Sequence, residues 1–214
     1  PNAHKNIFIP SLIIHESQEY KIIGIKEESF RNNQNIQSIK ISDNSFMRSI
    51  GKNAFSNSTL KKLIIPSSIV QLDDGWCHGT CKLDTVTISS SNKYFKYLDD
   101  NEQIIFGKSD KNEDIFDTIV FANRNIEQVT IPNFIKYIKP NAFEYCDKLK
   151  AIEISENSNL ISLCKNILSF SIITDLFIPA SVEVIENGWC RNAYNLTTVT
   201  VSPLNKQFKY LNGD

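Results

Sequence analysis

Hydrophobic residues recur in a fixed pattern, apolar-x-x-apolar-x-apolar, which begins every 23 or 24 residues within each of two stretches of the chain. The last two apolar positions are two residues apart and rich in β-branched side chains, which predicts a short strand with both side chains turned inward. The pattern begins at Ile36, Leu60, Leu83, Ile126, Leu149, Ile173 and Leu196. So short a unit cannot bury its apolar face alone, whereas stacked units can share a continuous core.

Each unit ends with a second apolar pair, such as Ile69 and Leu72, followed by a large side chain. The large side chains are expected to form a buried column of Phe30, Phe55, Trp76, Phe143, Leu168 and Trp189. The spacing of Ile69, Leu72 and Trp76 also suits one face of a helix. Because Asp73, Asp74 and Gly75 lie between them, a tight turn or a single helical turn is favoured over a long helix.

The chain is also a tandem duplication. LIIPSSIVQLDDGWC from Leu63 matches LFIPASVEVIENGWC from Leu176, and VTISSSNKYFKYL from Val86 matches VTVSPLNKQFKYL from Val199. The offset is 176 − 63 = 113 residues in the first case and 199 − 86 = 113 in the second. Positions 113 residues apart are called twins below. Since FKYLNGD at the end repeats FKYLDDN, we expect the natural protein to continue as a longer array.

The repeat pattern is interrupted over residues 96–122, where three apolar stretches alternate with turns rich in Asp and Asn. This alternation predicts a β-meander. The predicted organisation is therefore a first copy over 1–95, an inserted meander over 96–122 and a second, truncated copy over 123–214, in one continuous solenoid. The stretch Ile7–Ile25 is expected to be an irregular first coil with a hairpin.

The repeats resemble the BspA-like class of leucine-rich repeats, as in IEQVTIPNFIKYIKPNAFEYCDKL from Ile126 and LKKLIIPSSIVQLDDGWC from Leu60. The resemblance implies a solenoid with one short parallel strand per coil. It also implies a surface protein of an oral bacterium or a parasitic protist, engaged in adhesion, with no shared catalytic residues. Trp76 and Trp189 depart from the family's Phe, and Cys164, Ile167 and Leu168 depart from its Gly, Ala and Phe.

The stretch DGWCHGTC from Asp74 to Cys81 is a candidate metal or thiol site, with Cys77, His78 and Cys81 close in sequence. Its twin, NGWCRNAY, keeps Trp189 and Cys190 but lacks the histidine and the second cysteine. We therefore interpret the stretch as a core turn, with Cys81 in the same turn position as Cys146. His4, His15 and His78 are scattered, and Asp99-Asp100 falls in a turn, so we expect no enzyme, no metal and no cofactor.

The better functional candidate is the outer face of the predicted strands. In each unit, the residue between the two strand anchors must point away from the core. These residues form a predicted binding ladder of Lys40, Ile64, Thr87, Thr130, Glu153, Phe177 and Thr200. Ile64 and Phe177 are apolar twins in a mostly polar ladder, and exposed apolar groups can mark a contact site for a protein or glycan ligand.

Charge and hydropathy limit the partners. The formal net charge is −1, which gives no general attraction to nucleic acid, and no apolar run is long enough for membrane insertion. The sequons at Asn57 and Asn195 are candidate glycosylation sites. The expected location is the cell surface or a secreted form. An intracellular scaffold that binds a cytosolic regulatory protein is the alternative.

Overall fold

The apolar triplets form short parallel strands, as their alternation predicts. The computed structural model describes residues 5–98 and 102–209, so His4 and Asp99-Asp100 lie outside the described residues. The chain divides into unit 1, Pro1–Asp100, and unit 2, Asn101–Asp214. Each unit is a stack of β-coils, and the described residues contain no α-helix. The predicted division at 95/96 and 122/123 remains a prediction.

Unit 1 contains two parallel sheets and a hairpin. Its described strands are β1 (Asn6–Ile9), β2 (Leu12–His15), β3 (Gln18–Lys21), β4 (Gly24–Ile25), β5 (Ser38–Ile41), β6 (Ser49–Ile50), β7 (Lys62–Ile65), β8 (Gln71–Leu72), β9 (Thr85–Ile88) and β10 (Phe95–Tyr97). The first sheet has the order β1-β5-β7-β9 and the second has the order β4-β6-β8. Three coils of unit 1 thus contribute one strand to each sheet. The antiparallel pair of β2 and β3 is the hairpin expected near the N-terminus.

Unit 2 repeats this plan. Its described strands are β11 (Ile104–Gly107), β12 (Thr118–Ala122), β13 (Gln128–Ile131), β14 (Tyr137–Ile138), β15 (Ala151–Ile154), β16 (Ser162–Leu163), β17 (Asp175–Ile178), β18 (Val184–Ile185) and β19 (Thr198–Val201). Parallel pairs join β13 to β15, β16 to β18 and β17 to β19. The predicted meander contributes the antiparallel pair of β11 and β12, and β12 continues the stack by running parallel to β14.

The turns after the second sheet follow a backbone rule. In six turns, two residues four positions apart have positive φ: Glu28 and Asn32, Asn53 and Asn57, Gly75 and Gly79, Asn141 and Tyr145, Asn166 and Phe170, Gly188 and Asn192. Asn and Gly tolerate this left-handed conformation better than most residues do, which explains their recurrence at these positions. Alternate backbone N–H groups then donate to the next coil, as Asn32 does to Ser56 (2.8 Å) and Asn57 to His78 (2.8 Å).

These turns correct the predicted column of large side chains. The N–H of Phe30 donates to the carbonyl of Ala54 (2.8 Å), and the N–H of Phe55 donates to the carbonyl of Trp76 (2.9 Å). Trp76 therefore takes the position of Ala54, and Cys77 takes the position of Phe55. The expectation that Trp76 takes the position of Phe is wrong by one residue. In the preceding coil the small residue Ala54 comes before the large Phe55, whereas here the large Trp76 comes before the small Cys77.

Burial along the column is uneven. Phe55, Trp76, Phe143 and Leu168 are buried, whereas Phe30 and Trp189 are half-buried. The ring of Phe55 stacks on that of Phe30, with centroids 5.5 Å apart, and meets Trp76 edge-on at 6.4 Å. The aromatic groups of unit 1 thus form a continuous packed column across successive coils.

A buried carboxylate holds the loop between β11 and β12. Asp117 accepts hydrogen bonds from the N–H (2.9 Å) and Oγ (2.7 Å) of Ser109, and Lys136 Nζ lies 3.5 Å from its Oδ2. Burial alone would raise the pKa of this carboxyl group. The two Ser109 hydrogen bonds and the Lys136 charge outweigh it, so the pKa of Asp117 lies below its usual 3.8.

We expect this carboxylate to make unit 2 sensitive to acid. A lowered folded-state pKa stabilises the fold fully above the unfolded value of 3.8, and that contribution is lost as the pH falls further. Urea unfolding between pH 6 and pH 3, followed by circular dichroism, should show a smaller loss of stability in Asp117→Asn than in the wild type. Equal pH slopes in the two proteins would contradict this account.

Candidate binding surface

The predicted binding ladder points outward from the first sheet of each unit. The anchors on either side of each ladder residue face the core, as Ile39 and Ile41 do around Lys40. Lys40, Thr87, Thr130, Glu153 and Thr200 are exposed. Ile64 and Phe177 are half-buried rather than fully exposed.

In unit 1 the strand register aligns three ladder residues with Phe8. Phe8 lies opposite Lys40, Lys40 opposite Ile64, and Ile64 opposite Thr87. Phe8 was not in the predicted ladder, although it is 59% exposed. The signal was present, since Ile7 and Ile9 flank it as strand anchors. The hairpin of β2 and β3 makes the spacing between β1 and β5 longer than 24 residues, so the repeat period is not visible there.

In unit 2 the register gives two aligned pairs. Thr130 lies opposite Glu153, and its Oγ1 donates a hydrogen bond to Glu153 Oε2 (2.8 Å). Phe177 lies opposite Thr200, and β17 lies beside β15. The structure therefore places Thr130, Glu153, Phe177 and Thr200 on adjacent strands of one unit.

A second outward column was missed, because the sequence pattern placed only the anchors and the residue between them. The first residue of each strand also faces away from the core. In unit 1 this column holds Asn6, Ser38, Lys62 and Thr85, and in unit 2 it holds Gln128, Ala151, Asp175 and Thr198. Together, the ladder and this second column of a unit are called its strand face below.

The turn from Asp74 to Cys81 has the packing of a core turn. Cys77 is buried and Trp76 is only 3% exposed. The expectation for Cys81 is wrong: Cys81 is exposed, and buried Thr80 stands in the position of Cys146. The backbone shows this equivalence, since Leu83 N–H donates to Thr80 and Leu149 N–H donates to Cys146. The Thr80 hydroxyl donates to the carbonyl of Cys77, which satisfies it inside the turn.

The described residues hold no cluster of three or more His, Cys, Asp or Glu side chains with metal-binding geometry. Burial raises the pKa of the Cys146 thiol and of the Cys190 thiol. A raised pKa leaves less thiolate at neutral pH, and thiolate is the reactive form. These two cysteines are therefore suited to packing rather than to nucleophilic chemistry.

Both candidate glycosylation sites are on the surface. Asn57 and Asn195 are exposed. In each sequon the threonine hydroxyl donates to the preceding coil, Thr59 to Ile36 (2.9 Å) and Thr197 to Thr174 (3.3 Å). The hydroxyls therefore also have a structural role, and glycan attachment at either asparagine stays a prediction.

In the part of the chain that the structure describes, we find no helix that is both long enough and apolar enough to span a bilayer. The strand faces are extended surfaces with a regular arrangement of side chains. Their residues come from successive coils about 4.8 Å apart, the spacing of neighbouring strands. Such a surface can contact a ligand at many points without a cofactor.

Comparison with known proteins supports the repeat assignment. The profile of the BspA type leucine rich repeat region matches residues 2–101 and 114–211, with six copies. No curated protein matches the chain closely enough to count as a relative.

Several solved structures align with this chain. A leucine-rich repeat protein from Eubacterium ventriosum aligns with 92% of this chain at 18% identity and a TM-score of 0.65. This chain spans only 54% of that protein. The pneumococcal vaccine antigen PcpA aligns at 13% identity and a TM-score of 0.46, over 95% of this chain and 73% of its own. A leucine rich cell surface protein from Faecalibacterium prausnitzii aligns at 14% identity and a TM-score of 0.43, over 95% and 89%. At 18% identity, the likeness to the Eubacterium ventriosum protein concerns the fold alone.

Proposed function

Because the chain belongs to the BspA-type leucine-rich repeat family, a class of repeat scaffolds for protein interaction, we propose that it is a non-enzymatic recognition module. Its strand face binds a protein or glycan ligand, as part of an adhesin-type protein at the cell surface or in secreted form. Binding sums many modest contacts along the coils and needs no cofactor.

The observation that carries this proposal is the composition of the strand face. Most of its positions are small or polar, and several are threonines that can donate and accept hydrogen bonds. Ile64 and Phe177 add a partly accessible apolar group at the same place in each unit. A half-buried apolar side chain is held in place by its neighbours, so a ligand can bury it with little further loss of conformational entropy.

The surface location rests on the family resemblance and on the exposure of the two sequon asparagines. One observation favours the intracellular alternative: the five cysteines, which all lie among the described residues, are free thiols. Free thiols persist in a reducing compartment. Mass spectrometry of Asn57 and Asn195 in protein from its natural source separates the two locations, because N-glycans at either position require passage through the secretory pathway.

The strand face is tested by the double variant Ile64→Glu/Phe177→Glu. Two carboxylates at the apolar positions would have to be desolvated on binding, so we expect ligand affinity to fall at least tenfold, equivalent to about 1.4 kcal/mol. Binding would be measured on arrays of purified extracellular proteins and glycans.

A matched control uses the same kind of change elsewhere. Ile23→Glu/Leu204→Glu replaces two well-exposed apolar residues that lie outside the strands. This variant should bind like the wild type, and circular dichroism should show that both variants keep the β-coil fold. Unchanged binding by Ile64→Glu/Phe177→Glu would place the ligand site elsewhere.

A further inference from the structure

Twin positions on the two strand faces carry opposite charges. Lys40 on β5 has Glu153 on β15 as its twin, since 40 + 113 = 153. Lys62 on β7 has Asp175 on β17 as its twin, since 62 + 113 = 175. All four side chains belong to exposed residues. The same coil geometry therefore presents two cations in unit 1 and two anions in unit 2.

The other twin positions on the two strand faces are similar in chemistry. Ile64 has Phe177 as its twin, while Thr85 and Thr87 are matched by the identical residues Thr198 and Thr200. The duplication has thus kept the threonines and an apolar group while reversing the charge at two positions. The reversal distinguishes the two surfaces in coils whose other twin residues resemble each other.

Flanking residues leave the sign of each face unchanged. In unit 1, Lys61 precedes β7 and Asp84 precedes β9, so these two flanking charges offset each other. In unit 2, Glu127 precedes β13 and Lys150 precedes β15, and these two form an ion pair with Nζ and Oε2 3.3 Å apart. Lys5, which is exposed and precedes β1, adds a further positive charge to unit 1.

The four strand charges are accessible to a partner. Among the residues that the structure describes, neither Lys40 nor Lys62 has an ion-pair partner within 4 Å. The carboxylate of Glu153 accepts a hydrogen bond from Thr130 (2.8 Å), and that of Asp175 accepts one from Thr174 (2.6 Å). These neutral donors orient the carboxylates without cancelling their charge.

We propose that the ligand of the strand face is a second copy of this chain, with the unit 1 face of one molecule docked on the unit 2 face of the other. Lys40 and Lys62 then meet the carboxylates of Glu153 and Asp175, and Ile64 and Phe177 supply the apolar contact. This inference rests on the proposed function, because it takes the strand face as the binding surface. Two faces of the same unit repel each other, so charge selects the pairing of unlike units.

The test uses charge exchange between twins. Lys40→Glu/Lys62→Asp gives unit 1 the charges of unit 2, and Glu153→Lys/Asp175→Lys gives unit 2 positive charges like those of unit 1. The first pair of changes leaves two anionic faces and the second leaves two cationic faces. We expect each variant to self-associate at least tenfold more weakly than the wild type, measured by analytical ultracentrifugation.

An equimolar mixture of the two variants is the decisive sample. Anionic faces of one variant then meet cationic faces of the other, so association should return to near the wild-type level. The heterodimer would be identified by labelling one variant.

Association of the wild type should also weaken when NaCl rises from 0.15 M, where the Debye length is about 8 Å, to 0.5 M. The control Lys52→Glu/Lys82→Asp makes the same charge change at exposed turn positions and should associate like the wild type.

Two results would overturn the proposal: a wild-type chain that stays monomeric up to about 1 mM, the range of only weak affinity, or a mixture of the two variants that does not associate. Neither result bears on the array binding of Ile64→Glu/Phe177→Glu, which tests the proposed function separately. Self-association that follows the charge exchange would support the second copy as ligand even if the arrays reveal no other.

Discussion

Replacing Trp76 with alanine should destabilise unit 1 by about 3–5 kcal/mol, the usual cost of removing a large aromatic side chain from a core. Trp76 is buried and its ring meets Phe55 edge-on. The cavity would border a coil whose backbone is tied to this turn by hydrogen bonds from Phe55 to Trp76 and from Asn57 to His78, so the site can collapse only in part. Urea unfolding, followed by circular dichroism, measures the loss.

The twin residue provides the matched control. Trp189 is half-buried, so Trp189→Ala removes less buried surface and should cost only about 1–2 kcal/mol. The chain has two tryptophans, so each variant retains one as a fluorescence probe. A loss below about 1 kcal/mol for Trp76→Ala would contradict the buried position of its ring.

A double variant tests the register of the turn. In Trp76→Ala/Cys77→Phe, the pair regains the small–large order of Ala54 and Phe55. A phenyl ring at position 77 would extend the stack that Phe30 and Phe55 begin. We therefore expect the double variant to recover part of the stability lost in Trp76→Ala. A further loss would mean that Cys77 does not occupy the position of Phe55.

The strands could be predicted because their signal is local. Two inward anchors separated by one outward residue define a strand face in any coil, so Lys40, Ile64 and Thr87 were placed correctly from the sequence. The partial burial of Ile64 and Phe177 was not predicted. An alternating pattern specifies which way a side chain points and not how much of it the surrounding residues cover.

The turn register was missed for a different reason. The 113-residue offset aligns Trp76 with Trp189, and it carries no information on how Trp76 aligns with the coil before it. That information lies in the Asn and Gly residues with positive φ, such as Asn53 and Asn57 followed by Gly75 and Gly79. Aligning these pairs, rather than the aromatic residues, gives the observed register. Tyr145 and Phe170 obscure the signal, since aromatic residues rarely adopt this conformation.

Replacing Asn92 with alanine should destabilise unit 1 by about 3 kcal/mol, although the change removes only a small polar side chain. Asn92 is buried, and its Nδ2 donates to the carbonyls of Pro66 (2.9 Å) and Ile69 (3.0 Å) in the preceding coil. Its Oδ1 accepts from the N–H groups of Tyr94 (2.8 Å) and Phe95 (2.9 Å). Alanine would leave these groups unpaired, and each unpaired buried group costs about 1–3 kcal/mol when water cannot reach it.

The twin residue shows that this arrangement belongs to the repeat. Asn205 donates to Pro179 (2.9 Å) and Val182 (3.0 Å) and accepts from Gln207 and Phe208. A side chain, rather than strand pairing, therefore joins the two coils at this point. In Asn92→Ala, hydrogen exchange should accelerate at the amides of Tyr94 and Phe95, while the neighbouring control Ser91→Ala, at an exposed position, should stay within about 0.5 kcal/mol of the wild type. Unchanged exchange at both amides would mean that water replaces the asparagine, and the coils would then be held by their strands alone.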